Sequence, residues 1–218
     1  MTQFIAGIIN FIDLIRDLYF DKKLKVETLK QIEVYDLNPR IDKDIDHLKK
    51  YQPTRNRVFA KAINFLPRNV ELSKFQFCDI GSGKGRCLIQ AAHFPFIRIW
   101  GIEVCKNLTE TSKKNLKSLG LEEKIEVLNS DAREVLYPKT PTIFFLFNPF
   151  GSKILKEWLE KILRDSHHLI IIIYVNPIYE YVIEMNPHFE KLHEIKSVNS
   201  NNRISYFKRS TVGNGSKP

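Results

Sequence analysis

The sequence predicts an α/β fold, a mostly parallel sheet of seven strands with helices on both faces and a helical elaboration ahead of it. Three observations predict it. From residue 75 onward, short apolar runs of strand character alternate with longer stretches of helical character. The first such run passes into a helix through the glycine-rich turn Gly81-Ser82-Gly83-Lys84-Gly85. The last two runs are separated only by the polar turn 197–202, which has no room for a helix, so the final strand must run antiparallel to its neighbour.

Taken in order, the chain opens on Phe4, Ile5, Ile8, Ile9, Phe11, Ile12, Ile15, Leu18 and Tyr19 at helical spacing, broken by Asn10, Asp13, Arg16 and Asp17. This is an amphipathic helix whose broad apolar face is expected to pack on the domain that follows; a membrane surface or a partner helix are its other occupants. It has no basic start or small-residue cleavage site, and its internal charges argue against a membrane span. Tyr51-Gln52-Pro53-Thr54 then precedes a helix rich in Arg55, Arg57 and Lys61. Strands are expected near 75–80, 97–102, 124–128, 142–147, 168–175, 189–196 and 202–208. The run Leu169 to Val175 is too short to cross a bilayer and reads as a strand buried on both faces. Residues 1–74 form the elaboration and 75–209 the α/β domain, while 210–218, rich in Gly, Ser and Asn, are expected to be disordered.

At 218 residues and 43% hydrophobic, the chain suits one sizeable core. Cys78, Cys87 and Cys105 are odd in number and lack C-x-x-C spacing, which reads as structural thiols in a reducing, cytoplasmic compartment. The histidines form no H-x-x-x-H or Cys/His cluster, so no protein-built metal site is expected. The net charge of +9, with Lys49, Lys50, Arg55, Arg57 and Lys61 gathered ahead of the glycine turn, suits an acidic partner. Nucleic acid and an acidic protein surface fit it equally.

The glycine turn carries the chemistry. A P-loop needs Ser or Thr after its lysine, but Lys84 is followed by Gly85. A dinucleotide fingerprint needs a third small residue where Arg86 stands. What remains is D-x-G-x-G-x-G, with Asp79 two residues before Gly81. This closely resembles the cofactor loop of class I S-adenosylmethionine-dependent methyltransferases, whose Rossmann-like sheet has seven strands with only the last reversed. The resemblance implies that Gly81, Ser82, Gly83 and Gly85 wrap the methionine part of S-adenosyl-L-methionine and that Asp79 helps hold its cationic end. A carboxylate suits an ammonium and a sulfonium and would be misplaced beside a pyrophosphate. Without Cβ, the glycines let a ligand approach the backbone closely. By the same resemblance Glu103, after the second strand, takes the ribose hydroxyls, and the Asp131-Ala132 turn after the third takes the adenine amine. Each acid alone reads equally as a loop residue or helix cap.

An aromatic-x-Pro-Thr element before D-I-G-S-G-K-G-R resembles a bacterial group of class I methyltransferases. It is more distantly similar to the non-SET lysine methyltransferases, which place an ordering segment ahead of the cofactor loop. Tyr51 and Thr54 either close over the cofactor or simply start a helix. After the fourth strand, Asn148-Pro149-Phe150 resembles the [DNS]-P-P-[FYW] signature of methyltransferases acting on amines, without the second proline. The resemblance implies that the amide oxygen and a main-chain carbonyl accept from the target NH while the ring packs on it. An ordinary Asn-Pro turn, as at Asn176-Pro177, is the alternative. The expected activity is methyl transfer to an amine of a macromolecule, protein lysine or nucleic-acid base, with Tyr51, Tyr174 or an acid of the elaboration as base. An NAD-dependent oxidoreductase and a non-catalytic cofactor-binding relative remain alternatives.

Overall fold

A computed structural model of the chain describes residues 2–32, 51–196 and 203–209, the side chains of 2–6 excepted. The expected turn at 197–202, the tail beyond 209, and Lys49 and Lys50 lie outside the described residues. Seven strands form one sheet: β1 Gln76–Ile80, β2 Arg98–Glu103, β3 Ile125–Asn129, β4 Thr142–Phe147, β5 Ile170–Val175, β6 Phe189–Ile195 and β7 Ile204–Arg209. Their order is β3-β2-β1-β4-β5-β7-β6. The first five pair in parallel, and β7 is antiparallel to both β5 and β6. The reversal of the last strand is as expected. Its insertion between β5 and β6 is what turns the strand around, since a short connection after β6 can only return alongside it.

Side chains alternate across the sheet with a period of two. On one face Phe77, Ile99, Ile143 and Phe145 meet Phe59, Ala62 and Ile63 of helix α2 (Asn56–Asn64) and Leu88 and Ile89 of α3 (Arg86–Ala91). The Phe59 ring lies 5.4 Å from that of Phe145 and 5.8 Å from that of Phe77. On the other face Cys78, Trp100, Phe144 and Leu146 pack with Leu155, Trp158 and Ile162 of α5 (Ser152–Asp165). Helix α4 (Lys106–Ser118) adds Leu116 to the first cluster. Thus α2, although it precedes the sheet in sequence, shares the sheet's own core.

The first helix, α1 (Thr2–Leu24), reverses the expectation that its apolar face would pack inward. Its acidic face docks instead. Asp17 is buried and accepts from Arg55 Nη1 at 3.2 Å, Arg86 Nη2 at 2.8 Å and the Asn56 backbone N–H at 3.0 Å. Asp21 accepts from Arg86 Nη1 at 2.7 Å, and Asp13 pairs with Arg57 at 3.6 Å. Phe20 and Leu24 pack against the core, but most of the apolar residues are left outside, with Phe11 63%, Leu18 54% and Tyr19 63% exposed. The reason is electrostatic: the buried Arg86 guanidinium demands partners, and Asp17 and Asp21 of α1 supply them. Two members of the basic cluster expected to meet an acidic partner, Arg55 and Arg57, are therefore engaged within the chain.

Arg86 is the hub of this docking. It is 2% exposed, and its Nε donates to the Thr54 carbonyl at 3.1 Å, Nη1 to Asp21 and the Thr28 hydroxyl, and Nη2 to Asp17. The Phe20 ring stacks on the guanidinium at 4.7 Å. Replacing Arg86 by Met should destabilise the protein by about 3–5 kcal/mol, because it leaves Asp21 without its cation and the buried Asp17 with only the partly exposed Arg55. Arg86→Lys should rescue little, since one ammonium cannot span donors pointing in several directions. Urea denaturation checks both; an Arg86→Lys protein as stable as the parent would contradict this role.

Candidate active site

The carboxyl ends of β1, β2, β4 and β5 open into a cavity of about 340 Å³. Asp79, Gly81 and Ser82 line it from the first strand and turn, Glu103 from the second, Asp131 and Ala132 from beyond the third. Tyr51 and Thr54 close one side and Asn148, Pro149 and Phe150 another. Of the residues singled out from sequence for the site, Gly83, Gly85 and Tyr174 do not line the cavity; the two glycines are the instructive exception.

That exception corrects the reason given for the glycines. Gly83 has φ +54°, and a Cβ added there would stand 2.2 Å from the Tyr51 ring. The close approach is made by the protein itself. Tyr51 is held over the turn by its hydroxyl, which donates to the Thr28 carbonyl at 2.7 Å, and by a backbone bridge to Ile32. From the other side Pro149 packs on Gly81, where an added Cβ would lie 2.8 Å from the proline's own Cβ. The glycine turn is thus clamped between the Tyr51 segment and the Asn148-Pro149 turn. Lys84 is buried beneath the ring, its Nζ 2.6 Å from Glu27 and 5.5 Å from the Tyr51 centroid.

The acids of the cavity differ in how they are satisfied. Glu103 Oε2 accepts from the Gly83 N–H and Oε1 from the Cys105 N–H, each at 2.9 Å. Burial nevertheless raises its pKa, against these backbone hydrogen bonds. Asp131 is held by Arg133, whose backbone N–H donates to Oδ1 at 2.7 Å and whose Nη2 donates to Oδ2 at 2.6 Å. The neighbouring Ala132 carbonyl is fixed by the Tyr137 hydroxyl at 2.7 Å, which accepts from Trp158 Nε1 at 2.9 Å. Asp79 stands apart. It is 4% exposed, and no hydrogen bond or cation among the described residues meets its carboxylate. Burial, reinforced by the charge of Glu103, pushes its pKa up to about 8. The buried Ser82 hydroxyl beside it also lacks a partner.

On the remaining wall, Asn148 takes φ +44° and its Oδ1 accepts from the Tyr174 hydroxyl at 3.1 Å. Asparagine tolerates this left-handed conformation better than most residues. Phe150 is nearly buried, its ring 6.3 Å from that of Trp158, so it shapes the wall more than it presents a face. Asn176, also left-handed at φ +48°, and Ile178 line the cavity beside Asn148. Neither was singled out from sequence, although Asn176-Pro177 repeats, one strand over, the dipeptide that drew attention to Asn148. Cys105, Leu108 and Arg133 were missed as well, and no local motif marks them; Arg86 closes the D-I-G-S-G-K-G-R run but was given no place in the site. Burial holds the Tyr51 and Tyr174 phenols well above their usual pKa, and both hydroxyl protons are donated within the protein, so neither is the base that the sequence left open. Among the described residues, no group of three or more His, Cys, Asp and Glu could hold a metal ion.

The clamp makes a direct prediction. Gly83→Ala should cost more than the roughly 1–2 kcal/mol of left-handed strain alone, because the methyl collides with the Tyr51 ring. In a Tyr51→Ala background the excess should vanish. Denaturation of the two single variants and the double variant measures the coupling; an equal cost of Gly83→Ala in both backgrounds would show that the ring does not press on the turn.

The profile of the family described as histone methylation protein DOT1 matches residues 38–211. No curated protein matches the chain significantly. Among solved structures it resembles an RNA methyltransferase from Salinibacter ruber in complex with S-adenosyl-L-homocysteine, at 16% identity and a TM-score of 0.54 over 73% of this chain and 94% of that one. It also resembles an Escherichia coli protein, yhhF, described provisionally as a methyltransferase, at 21% identity and TM-score 0.59 over 79% and 91%. A ribosomal protein L11 methylase from Lactobacillus delbrueckii subsp. bulgaricus aligns at 12% identity and TM-score 0.54 over 71% and 78%. At these identities the likeness is one of fold, a Rossmann-like methyltransferase sheet.

Proposed function

The chain belongs to the histone methylation protein DOT1 family, and on that premise we propose that it is an S-adenosylmethionine-dependent methyltransferase acting on an amine nitrogen of a protein. The observation that carries the proposal is Asp79: a buried carboxylate without a partner, at the mouth of the glycine turn, is a site prepared for a cation. The residues present fit S-adenosyl-L-methionine. Asp79 and the unpartnered Ser82 hydroxyl hold its ammonium end, Glu103 the ribose hydroxyls, and Asp131 with Ala132 the adenine amine, under the cover of Tyr51 and Thr54. When bound, the cofactor supplies a methyl group made electrophilic by a sulfonium.

The chain's own part is to bring a neutral amine to that methyl group. The wall formed by Phe147, Asn148, Pro149, Phe150, Asn176 and Ile178 carries no carboxylate. An ammonium entering it loses hydration without gaining a counter-ion, so its pKa falls and it gives up its proton to water on the way in. No side-chain base is required. The Tyr174 hydroxyl fixes the Asn148 amide, leaving a second lone pair on Oδ1 to accept from the target N–H. With that hydrogen bond made, the nitrogen lone pair points along the line of attack. A protein amine is favoured by the family's description, and by the pairing of Arg55 with Asp17 and of Arg57 with Asp13, which offsets part of the positive charge a nucleic acid would need.

Transfer of labelled methyl groups from S-adenosylmethionine into a cell lysate, followed by digestion, tests the reading. Label released by protease supports it; no incorporation, or release by nuclease alone, overturns it. The role of Asn148 is tested by Asn148→Gly, which keeps the positive φ and removes only the amide. Turnover should fall about a hundredfold or more while cofactor affinity stays within about twofold. Unchanged turnover would mean that Asn148 only shapes the turn.

A further inference from the structure

Among the described residues, the outward face of α1 is left uncovered. Ile8, Phe11, Ile12, Ile15, Leu18 and Tyr19 recur at i, i+3, i+4 and i+7 and form one exposed apolar stripe. The helix's acids do not accompany them, because Asp13, Asp17 and Asp21 all face the domain and are paired there. The exposed charges on the same helix are Arg16, Lys22 and Lys23, all cations, and Lys23 reaches over the Tyr19 ring at 5.9 Å. No helix among the described residues is long and apolar enough to cross a membrane.

We infer that α1 docks the protein on an anionic membrane surface, lying in the interface with this stripe turned to the acyl chains. The division of labour on the helix is what a surface-lying helix requires. Apolar residues, with an aromatic at the edge, enter the headgroup boundary, and long cationic side chains flank them to reach lipid phosphates. Ordinarily a helix with three aspartates would be repelled by such a surface. Here the domain absorbs those charges through Arg55, Arg57 and Arg86, so the helix offers the bilayer only apolar and positive groups. Charge also decides against the obvious competitor, a second copy of the chain. Two copies each of net charge +9, bringing together faces that expose cations and no acid from α1, repel each other. An anionic bilayer complements both the stripe and its rim.

The test is co-sedimentation of the full-length protein with vesicles of equal parts phosphatidylglycerol and phosphatidylcholine, compared with phosphatidylcholine alone. The expected result is binding to the anionic vesicles that weakens with added salt. The double variant Phe11→Ser/Leu18→Ser keeps the net charge and alters side chains that are largely exposed. Its vesicle affinity should drop at least about tenfold with its melting temperature nearly unchanged. No binding by the parent protein overturns the proposal. So does equal binding by the serine variant, which net charge alone would explain, and so does a lipid-free dimer that the serine variant dissolves.

Discussion

One guanidinium sealed from water organises the cofactor side of this molecule. Arg86 begins α3 directly after the glycine turn, and its donors run outward to α1, to Thr28 and to the Thr54 carbonyl. Thr28 in turn receives the Tyr51 hydroxyl on its carbonyl, and the Tyr51 ring presses on Gly83. Removing the cation would therefore loosen both the helix that docks on the domain and the segment that covers the cavity. A buried ion pair adds little net stability compared with well-packed apolar groups, whereas a broken one costs several kcal/mol. Its value here lies in register: only one placement of α1 lets both aspartates reach the same guanidinium.

A few residues away the balance is opposite. Arg86 has two carboxylates for one positive charge, whereas Asp79 has no cation and shares its surroundings with Glu103. The cavity thus holds one carboxyl group with no cation to match it, inside a chain whose net charge is +9. In the ligand-free state Asp79 avoids the cost of an uncompensated buried charge by keeping its proton well above the usual carboxylate range.

The sheet was legible in the sequence because it rests on local patterns. Period-two alternation, strand lengths and the glycine turn each leave a mark within ten residues, and the strands fall within about two residues of where those patterns place them. The order of Asp79, Glu103 and Asp131 after successive strands likewise sufficed to place all three around one cavity. What could not be read was long-range. Nothing near Arg86 announces partners 65 and 69 positions earlier in the chain, and the same residue read only as an obstacle to a dinucleotide motif. The face on which α1 docks was misjudged for a related reason. Helical spacing shows which side of a helix is apolar, but which side faces the domain depends on cations supplied from elsewhere. The reading of Gly83 named a bound ligand as its close neighbour, whereas the group that presses on it is Tyr51, distant in sequence and held over the turn by Thr28 and Ile32.

The central claim is that Asp79 is kept protonated until a cationic cofactor arrives, and its proton can be counted directly. At pH 7 the free protein, with the Asp79 pKa near 8, carries that carboxyl largely protonated; ionised against an ammonium, it must release the proton. Calorimetric titration of S-adenosylmethionine at pH 7, in two buffers of different ionisation enthalpy, should show release of close to about one proton per site. Asp79→Asn should bind more weakly and release almost none. Proton-neutral binding by the parent protein, or an Asp79→Asn variant with the same affinity and the same proton release, would contradict the account.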